Sequence, residues 1–535
     1  MKKDNKAVSD IEEYEKLEGW EQITLGQQLI NWAYNYSDRI AFVENSSEIT
    51  YEELNKRVDN LAFGLLDIGI KKGDRVILQL PNRISFAETF FALARIGAIP
   101  IMALPAHREN ELDGICQAGE PTAYIIPEKY MKYEYEKLAD LLKEMHSFLK
   151  YIIVDGYSDS YYMLKNIKGE KRELPKVDCN DTALLLLSGG TTGIPKLIPR
   201  THADYAYNAK MAAIRSGFNK STVTLAILPV SHNFPLANPG ILGAMTFGGK
   251  TIMCSTTSPD EVFPLIEEYG ATCMSLVPAL VTLYMETLEW DKENDISSLQ
   301  VVQVGGAMFE ESLARNVMSV MDCKLQQVFG TAEGIVCMTK LEDDEDTICT
   351  CQGTPISEAD VLKIVNAEGK EVPTGEYGEL IMKGPYTIKG YYKAPEQNKL
   401  SFTADGYYKT GDKARFTEAG MLQMAGRIKE QINRAGEKIT PAEIEKYLCK
   451  HPRIKEAAVV GISDKELGNR SCAFIITEDT EISLAEIHRF LSELGLARYK
   501  IPDQLERIEG WPLTNMGKID KQKLVLSAEK KAKVL

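Results

Sequence analysis

The stretch Leu187-Ser188-Gly189-Gly190-Thr191-Thr192-Gly193-Ile194-Pro195-Lys196 combines three glycines, three hydroxyl side chains and one lysine. Its glycines let backbone N–H groups approach an anion closely, and its hydroxyls and single lysine suit phosphate oxygens. Apolar runs flank it on both sides, so it is predicted to connect two strands. A Walker A loop opens directly into a helix, whereas here Pro195 precedes the lysine and an apolar run follows. By residue type alone, a phosphate-binding loop between strands and a flexible Gly- and Thr-rich surface loop both stay open.

Length and composition limit the class of protein. The 535 residues suffice for two to four domains at roughly 150 residues each. Asp and Glu number 77 against 62 Lys and Arg, and this acidic excess argues against a nucleic-acid partner. The longest apolar run, residues 90–104, contains Arg95 and Pro100 and is too short to span a bilayer. No apolar stretch follows Met1 to Lys6, so we expect no secretion signal and a cytoplasmic protein without membrane contact.

The ten cysteines are scattered through the chain. Only Cys349 and Cys351 lie close together, and their one-residue spacing fits neither zinc-ligand pairs nor Cys-x-x-Cys redox motifs. The six histidines are equally dispersed. The sequence therefore predicts free thiols and no metal site made of His and Cys.

The N-terminal part alternates amphipathic helices with buried strands, which is the pattern of parallel α/β structure. Residues 50–53, Thr-Tyr-Glu-Glu, resemble a capping box, and apolar residues then recur at helical spacing. Strands are predicted over residues 76–80 and 99–103, with a helix over residues 85–96 between them. The polar, weakly periodic segment 129–173 is predicted to be peripheral and to carry little function.

The same alternation resumes after the Gly-rich stretch. Four further strands are predicted, and Gly305-Gly306 closes the last of them at a place suited to close ligand approach. Short alternating strands over residues 361–382 predict a β subdomain. The predicted fold class is therefore α/β: a large N-terminal domain of α/β subdomains plus a β subdomain over residues 1–428, hinged to a small α+β C-terminal domain over residues 429–535.

Five further segments carry motifs in a fixed order along the chain. They are Ser231 to Gly240, Phe329-Gly330-Thr331-Ala332-Glu333, Tyr408-Lys409-Thr410-Gly411-Asp412, Gly426 to Glu437, and Pro512 to Asp520. Together with the Gly-rich stretch they resemble the adenylate-forming superfamily of acyl-CoA synthetases, peptide-synthetase adenylation domains and luciferases. The resemblance covers most of the chain and implies an AMP-forming ligase that uses ATP and magnesium.

The resemblance assigns nucleotide-binding roles to a set of residues. It implies that Glu333 holds magnesium on the phosphates, that Asp412 accepts hydrogen bonds from two ribose hydroxyls, and that Arg427 also reaches the ribose. For each of these, a solvated turn or surface charge is the alternative. The residues expected to bind the nucleotide are Ser188, Gly189, Gly190, Thr191, Thr192, Gly193, Lys196, Gly305, Gly306, Val328, Gly330, Thr331, Asp412 and Arg427.

Two segments towards the C-terminus are implied to act by moving. Lys429-Glu430 resembles the hinge between the domains, although many relatives carry Asp at the position of Glu430. Lys518 resembles the catalytic lysine that, with Lys196 and magnesium, offsets negative charge while a carboxylate attacks the α-phosphorus of ATP. The small domain would then swing, withdraw Lys518 and open a tunnel for a thiol. The expected catalytic residues are Lys518, His232 and Glu333.

The segment from Ser231 to Gly240 narrows the substrate. It resembles stand-alone aryl-acid adenylating enzymes, the branch that includes the dihydroxybenzoate-activating enzymes of siderophore assembly. That resemblance places His232 beside the carboxylate and lets Asn233 bind an ortho hydroxyl or an equivalent ring heteroatom. The chain departs from the branch at Phe234, where tyrosine is usual, and at Asn238, where serine or cysteine is usual. The expected substrate-binding residues are His232, Asn233, Phe234, Asn238, Gly305, Val328 and Cys337.

These departures leave the substrate open at one point. A 2-hydroxybenzoate fits best, but a hydroxypicolinate or an aminobenzoate could satisfy the same Asn238 amide. The leading hypothesis is an enzyme that adenylates the acid and loads it onto the phosphopantetheine thiol of a separate aryl carrier protein, since no carrier motif is visible after Lys521. An aryl-CoA ligase that uses free coenzyme A is the first alternative. A non-catalytic nucleotide-binding relative is the second.

Overall fold

The computed structural model describes residues 13–188, 195–290, 293–307, 309, 311–427, 432–477, 482–512, 519 and 521–532. Two large sheets and a four-stranded antiparallel sheet form the N-terminal part, and a five-stranded sheet forms the C-terminal part. The arrangement confirms the predicted α/β fold with a large N-terminal and a small C-terminal domain. No helix within these ranges combines the length and the apolar character needed to cross a bilayer.

The seven-stranded sheet carries the Gly-rich stretch at its edge. Its strands are parallel except at that edge, where Ser188 and Lys196 pair on antiparallel strands. The stretch therefore connects two strands, as predicted. In sheet order the strands are Lys196–Thr201, Thr182–Ser188, Ile99–Met102, Arg75–Leu78, Ala123–Pro127, Tyr151–Asp155 and Tyr162–Met163.

The nine-stranded sheet brings distant chain segments together at its strand ends. Its central strands are parallel, and Gly305 lies opposite Val328 on neighbouring strands. The parallel centre is what alternating strands and helices dictate, because a parallel pair needs a crossover connection. In sheet order the strands are Thr354–Pro355, Gly334–Met338, Lys324–Thr331, Val301–Gly305, Cys273–Leu276, Val223–Ala226, Lys250–Met253, Ile40–Glu44 and Ser47–Thr50.

The helices bury apolar faces against these sheets in continuous cores. The predicted capping box is present: the Thr50 hydroxyl accepts from Glu53 N at 3.2 Å, and the Glu53 carboxylate accepts from Thr50 N at 3.1 Å. The helices of the large domain are Leu25–Asn35, Tyr51–Ile68, Ile84–Ile96, Glu109–Gly119, Glu136–Met145, His202–Arg215, Asn233–Ala237, Gly240–Thr246, Pro259–Tyr269, Pro278–Trp290, Glu311–Val320, Glu345–Thr350 and Pro395–Ser401, with a 3₁₀ turn at Leu164–Asn166.

The β subdomain and the small domain complete the fold. The predicted β subdomain is the antiparallel sheet Val361–Val365, Gly378–Lys383, Tyr408–Phe416 and Leu422–Arg427. The small domain packs apolar residues on both faces of its sheet. Its strands are Glu437–Ile439, Ile432–Arg434, Gly468–Ile476, Glu456–Asp464 and Gln504–Arg507, and its helices are Pro441–Leu448, Leu484–Glu493 and Lys521–Ala532, with a 3₁₀ turn at Arg498–Lys500.

The segment 129–173 lies at one edge of the seven-stranded sheet and lines neither cavity, but it is more regular than its weak periodicity indicates. The segment 129–173, predicted to be peripheral, contains the helix Glu136–Met145 and the strand Tyr151–Asp155, which pairs in parallel with Ala123–Pro127 inside the seven-stranded sheet. It also forms the short hairpin of Lys129–Tyr130 and Tyr133–Glu134. The many Lys and Tyr side chains hid the pattern, because Leu138, Ala139 and Leu142 form a narrow buried stripe on an otherwise polar helix.

Candidate active site

A cleft lies between the large and the small domain. It encloses about 1350 Å³, a volume that includes solvent at its mouth, and residues of both domains line it. A second cavity of about 690 Å³ shares five lining residues with it, so the two cavities lie side by side. The shared residues are Gly306, Val328, Gly330, Thr331 and Lys438.

The ends of the Gly-rich connection lie at this cleft. Ser188 and Pro195 line it, and Lys196 Nζ stands 5.0 Å from the centre of the Tyr391 ring. A lysine over an aromatic face is held by attraction between its charge and the ring electrons. The predicted phosphate ligands Gly189, Gly190, Thr191, Thr192 and Gly193 lie outside the described residues.

Glu333 is a buried carboxylate beside the same strand ends. Its Oε1 accepts a hydrogen bond of 2.8 Å from the Tyr391 hydroxyl. Burial by itself raises the pKa of a carboxyl, but the Lys438 ammonium and the hydroxyls of Tyr391 and Ser188 together lower the pKa of Glu333. Glu333 is therefore ionised at neutral pH and offers a hard oxygen ligand to a cation.

His232 begins the short helix Asn233–Ala237 and faces the cleft. Its Nδ1 accepts a hydrogen bond of 3.2 Å from Phe234 N, which places the proton of the neutral ring on Nε2. Desolvation, with a smaller contribution from the Lys438 charge, lowers the pKa of His232 to about 4. A neutral His232 can thus donate one hydrogen bond from Nε2 to an anion in the cleft.

The other residues of this helix form the adjoining wall. Asn233, Phe234 and Asn238 are buried and line the cleft together with Val328. Gly305 is required here, because an added Cβ would lie 2.6 Å from Val328 O and 3.4 Å from Phe234 Cε1. These four lining residues, called the slot below, combine the apolar surfaces of Phe234 and Val328 with the amide groups of Asn233 and Asn238, a lining that suits an aromatic ring with polar substituents.

Asp412 and Arg427 lie at the opposite end of the site. They pair across neighbouring antiparallel strands, and Asp412 lines the second cavity with Gly330 and Thr331. The Asp412 backbone N–H donates to the Thr410 hydroxyl at 2.9 Å, which fixes the strand at this point. The sequence motif thus brings the two expected ribose ligands to one place, although only the backbone of Arg427 is described.

A hairpin of the small domain enters the cleft from the other side. The strands Ile432–Arg434 and Glu437–Ile439 meet at a turn, and Gly436, Glu437 and Lys438 line the cleft. Asn433 Nδ2 donates to Gly306 O of the large domain at 2.7 Å. The hinge motif predicted from the sequence, Gly426 to Glu437, includes the first part of this hairpin. Gly436, Glu437 and Lys438 were not among the predicted site residues.

A buried ionic cluster joins the two domains at the rim of the cleft. Lys500 Nζ of the small domain lies 3.0 Å from Glu111 Oε1 of the large domain and 2.9 Å from Glu443 Oε1. Burial by itself would lower the pKa of Lys500, but the two carboxylates together raise it. No motif marks these residues, since they are far apart in sequence and meet only when the domains pack.

Among the expected site residues whose side chains the structure describes, four line neither cavity: Lys196, Gly305, Glu333 and Cys337. Cys337, expected to line the aryl pocket, does not line either cavity: its side chain is fully buried in the core, and burial raises the pKa of its thiol. It is opposite Phe329 on the neighbouring strand, so its alternating position directs it into the core. Lys518, predicted to be catalytic, and Lys429 and Glu430, predicted to form the hinge, lie outside the described residues.

A large α/β domain with a Gly-rich connection at the edge of one sheet, and a small domain that lines a cleft together with it, are the architecture expected of an adenylate-forming enzyme. The chain belongs to the AMP-binding enzyme family. That family matches residues 29–392, and the AMP-binding enzyme C-terminal domain matches residues 443–518. The chain is therefore a ligase of the ATP-dependent, AMP-forming kind.

Relatives cover nearly the whole chain. It is 45% identical to 2,3-dihydroxybenzoate-AMP ligase of Bacillus subtilis over 96% of this chain and 95% of that protein. It is 41% identical to the salicyl-AMP ligase / salicyl-S-ArCP synthetase of Mycobacterium tuberculosis, over 95% and 91% of the two chains. Among solved structures, the apo structure of MbtA from Mycobacterium smegmatis is 38% identical, with a TM-score of 0.75 and 97% of each chain covered.

Proposed function

We propose that this enzyme adenylates a 2-hydroxybenzoate-type acid with ATP and transfers the aryl group to the phosphopantetheine thiol of an aryl carrier protein. The observation that carries the proposal is the adjacency of two cavities: His232, Asn233 and Asn238 line the cleft, and the cleft shares five lining residues with the cavity that Asp412 lines. An aryl carboxylate in the slot and a nucleotide in the cavity would therefore meet where the two share a wall. The names of the relatives support an aryl acid as substrate and a role in siderophore or nonribosomal peptide synthesis.

The residues of the chain explain how two anions can be brought together. His232 Nε2–H donates to the carboxylate, which then attacks the α-phosphorus; an O–P bond forms and the bond to pyrophosphate breaks. The negative charge that accumulates needs fixed positive charge, which Lys196 supplies and Lys518 would supply from the small domain. Asp412 and Arg427 hold the ribose, so that the phosphorus stays in line with the attacking oxygen.

Magnesium fits the residues present. Magnesium takes one or two protein carboxylates and completes its shell with phosphate oxygens and water. Glu333 is an ionised, buried carboxylate. In this domain arrangement the ammonium of Lys438, a residue of the small-domain hairpin, balances its charge. Glu333 would hold the ion, which when bound neutralises phosphate charge.

The arrangement of the domains suits the second half-reaction. The hairpin that contains Gly436 faces the cleft. Its residues Ile432 and Ile439 belong to the hydrophobic cluster on one face of the small-domain sheet. Ile519, the neighbour of Lys518 in sequence, packs in the cluster on the opposite face. We therefore assign this arrangement to thiol transfer, in which the thiol attacks the acyl carbon and AMP leaves, and we place the domain boundary at residue 428 with Lys429 and Glu430 as the hinge.

The direct test is ATP–pyrophosphate exchange with a panel of acids. We expect exchange with 2-hydroxybenzoates and none with a fatty acid, and loss of the exchange in Asp412→Ala through a higher KM for ATP. Transfer of the aryl group to a carrier protein but not to free coenzyme A would support the carrier as acceptor; equal turnover with both would favour an aryl-CoA ligase. Absence of exchange with every acid would contradict the proposal and favour a non-catalytic nucleotide-binding protein.

A further inference from the structure

We propose that Arg200 and Asn208, neither of which lines the cleft, fix the polarity of Asn238, so that the slot presents an N–H donor to the ring substituent beside it. The inference rests on the proposed aryl-acid function and deepens it, because it states which substituent chemistry the enzyme selects. Asn238 is one of the two residues, with Phe234, at which the sequence departs from the branch that it resembles, and a free amide there could either donate or accept.

Asn238 is held on both sides of its amide. Its Oδ1 accepts a hydrogen bond of 2.5 Å from Asn208 Nδ2, and its Nδ2 donates to Asn233 O at 3.3 Å. Asn238 is 3% exposed and Asn208 is fully buried. The carbonyl oxygen therefore faces protein, and the amide nitrogen keeps one further N–H for the cleft that Asn238 lines.

The orientation of Asn208 is fixed in turn by groups that cannot reverse their role. Asn208 Nδ2 also donates to the backbone oxygen of Ala237 at 2.8 Å, and a carbonyl only accepts. Asn208 Oδ1 accepts from Arg200 Nη2 at 3.4 Å, and a guanidinium only donates. Turning the Asn208 amide over would bring oxygen to oxygen and N–H to N–H, so neither it nor Asn238 can turn without losing buried hydrogen bonds.

The hydrogen bonds from Arg200 through Asn208 to Asn238, called the relay below, begin at a side chain whose own position is fixed. Arg200 is fully buried, its Nε donates to Asp204 Oδ1 at 2.7 Å, and its Nη1 donates to Ala332 O at 3.3 Å. Asp204 also belongs to the capping box of the helix His202–Arg215, which carries Asn208. The relay is therefore built into the helix, and its polarity does not depend on the substrate.

The consequence is a preference among acids of the same size. A hydroxyl oxygen or a ring nitrogen beside Asn238 can accept its N–H, whereas an aromatic amine offers mainly N–H and leaves two donors facing each other. A buried donor without an acceptor is disfavoured, which predicts a preference of roughly tenfold or more for the acceptor. We therefore expect 2,3-dihydroxybenzoate to be used in preference to 3-amino-2-hydroxybenzoate.

The experiment compares kcat/KM for exchange with these two acids and with 2-hydroxybenzoate in wild-type enzyme, Asn208→Asp and Asn208→Ser. In Asn208→Asp the new side chain only accepts, so Asn238 should turn and present its oxygen, and the preference should shift towards the amine. In Asn208→Ser the amide is released and the ratio should fall towards unity. Asn316→Asp, on an exposed helix face, is the matched control and should keep the wild-type ratio.

The outcomes separate the relay from the proposed function. Suppose that 2-hydroxybenzoate supports exchange but that the wild-type enzyme uses 2,3-dihydroxybenzoate and 3-amino-2-hydroxybenzoate equally well. The relay is then contradicted, while aryl-acid adenylation stands. The relay is also contradicted if both Asn208 variants keep the wild-type ratio. Because the readout is a ratio within one variant, a partial loss of folded enzyme does not alter it. No exchange with any aryl acid overturns the proposed function itself.

Discussion

Lys500 Nζ lies 3.0 Å from Glu111 Oε1, and this buried ion pair joins the small domain to the large one. Glu443, from the small domain, takes the other side of the same ammonium. The three charges are buried together, so the domain arrangement seen here depends on all of them remaining paired. An enzyme that alternates between two arrangements must break this contact in every cycle.

The first prediction concerns this contact. Lys500→Met would leave Glu111 and Glu443 facing each other without a counter-charge, and loss of one partner of a buried pair costs about 3–5 kcal/mol. We expect thiol transfer from preformed aryl adenylate to slow by roughly tenfold or more, because thiol transfer needs this domain arrangement. Adenylation does not need it and should change little. Single-turnover transfer and pyrophosphate exchange measure the two steps. Lys399→Met breaks only an exposed pair with Glu396 and serves as control; equal losses in both steps for Lys500→Met would contradict the assignment.

Glu437 should make the arrangement depend on pH. Burial raises the pKa of Glu437 to about 7 from its ordinary 4.5, although the Lys500 charge opposes the rise. Where the hairpin leaves the cleft, the carboxyl is hydrated and ionises at lower pH. The closed arrangement is therefore fully favoured below about pH 4.5, is progressively disfavoured as pH rises from 4.5 to 7, and changes no further above about 7.

Glu437→Gln removes this titration. We expect the ratio of variant to wild-type thiol-transfer rate to be lowest at about pH 5, to rise several-fold by pH 7 and then to level off. Taking the ratio cancels the titration of the acceptor thiol. A ratio that does not change across this range would show that Glu437 is not buried during transfer.

Gly305 gives a test of the aryl slot. In Gly305→Ala the added Cβ would lie 2.6 Å from Val328 O and press against Phe234, so the slot must narrow. We expect KM for the aryl acid to rise by roughly tenfold or more with little change in KM for ATP. Gly510→Ala, where no atom lies within 4 Å of an added Cβ, is the control. A rise confined to KM for ATP would place the acid elsewhere.

Lys518→Ala should separate the two half-reactions in the opposite sense from Lys500→Met. We expect adenylation to fall by roughly 10²- to 10³-fold, because the lysine supplies charge only while the carboxylate attacks the phosphorus. Transfer from preformed adenylate should stay near the wild-type rate. The neighbouring exposed Lys523→Ala controls for loss of charge near the C-terminus. Comparable losses in both steps would refute the alternation of the domains.

Local rules explain what could be predicted from the sequence. The Thr50 capping box, the strands on both sides of the Gly-rich stretch and the glycine at the end of the Val301–Gly305 strand depend on neighbours in sequence, and each prediction was confirmed. Cys337 was misplaced because a strand position shows which side chains alternate but not which face meets a cavity.

Long-range contacts account for the rest. Lys500 meets Glu111 across 389 positions of sequence, and Arg200 meets Asn238 only through Asn208. Asn238 was singled out from the sequence, but Lys500, Glu111, Arg200 and Asn208 were not, because the contacts that give those four residues their roles form only when the chain is folded. The proposed preference among ring substituents therefore depends on Arg200 and Asn208, two residues outside the predicted substrate-binding set.

We expect an aryl carboxylate and ATP to react in the cleft between the domains. This reaction can be tested by mixing enzyme, magnesium, ATP and 2-hydroxybenzoates and identifying the enzyme-bound product by mass spectrometry. We predict an aryl adenylate and pyrophosphate in equal amounts, with the adenylate lost in Gly305→Ala at low acid concentration. Hydrolysis of ATP without an aryl adenylate, or a bound adenylate of a non-aromatic acid only, would contradict the account.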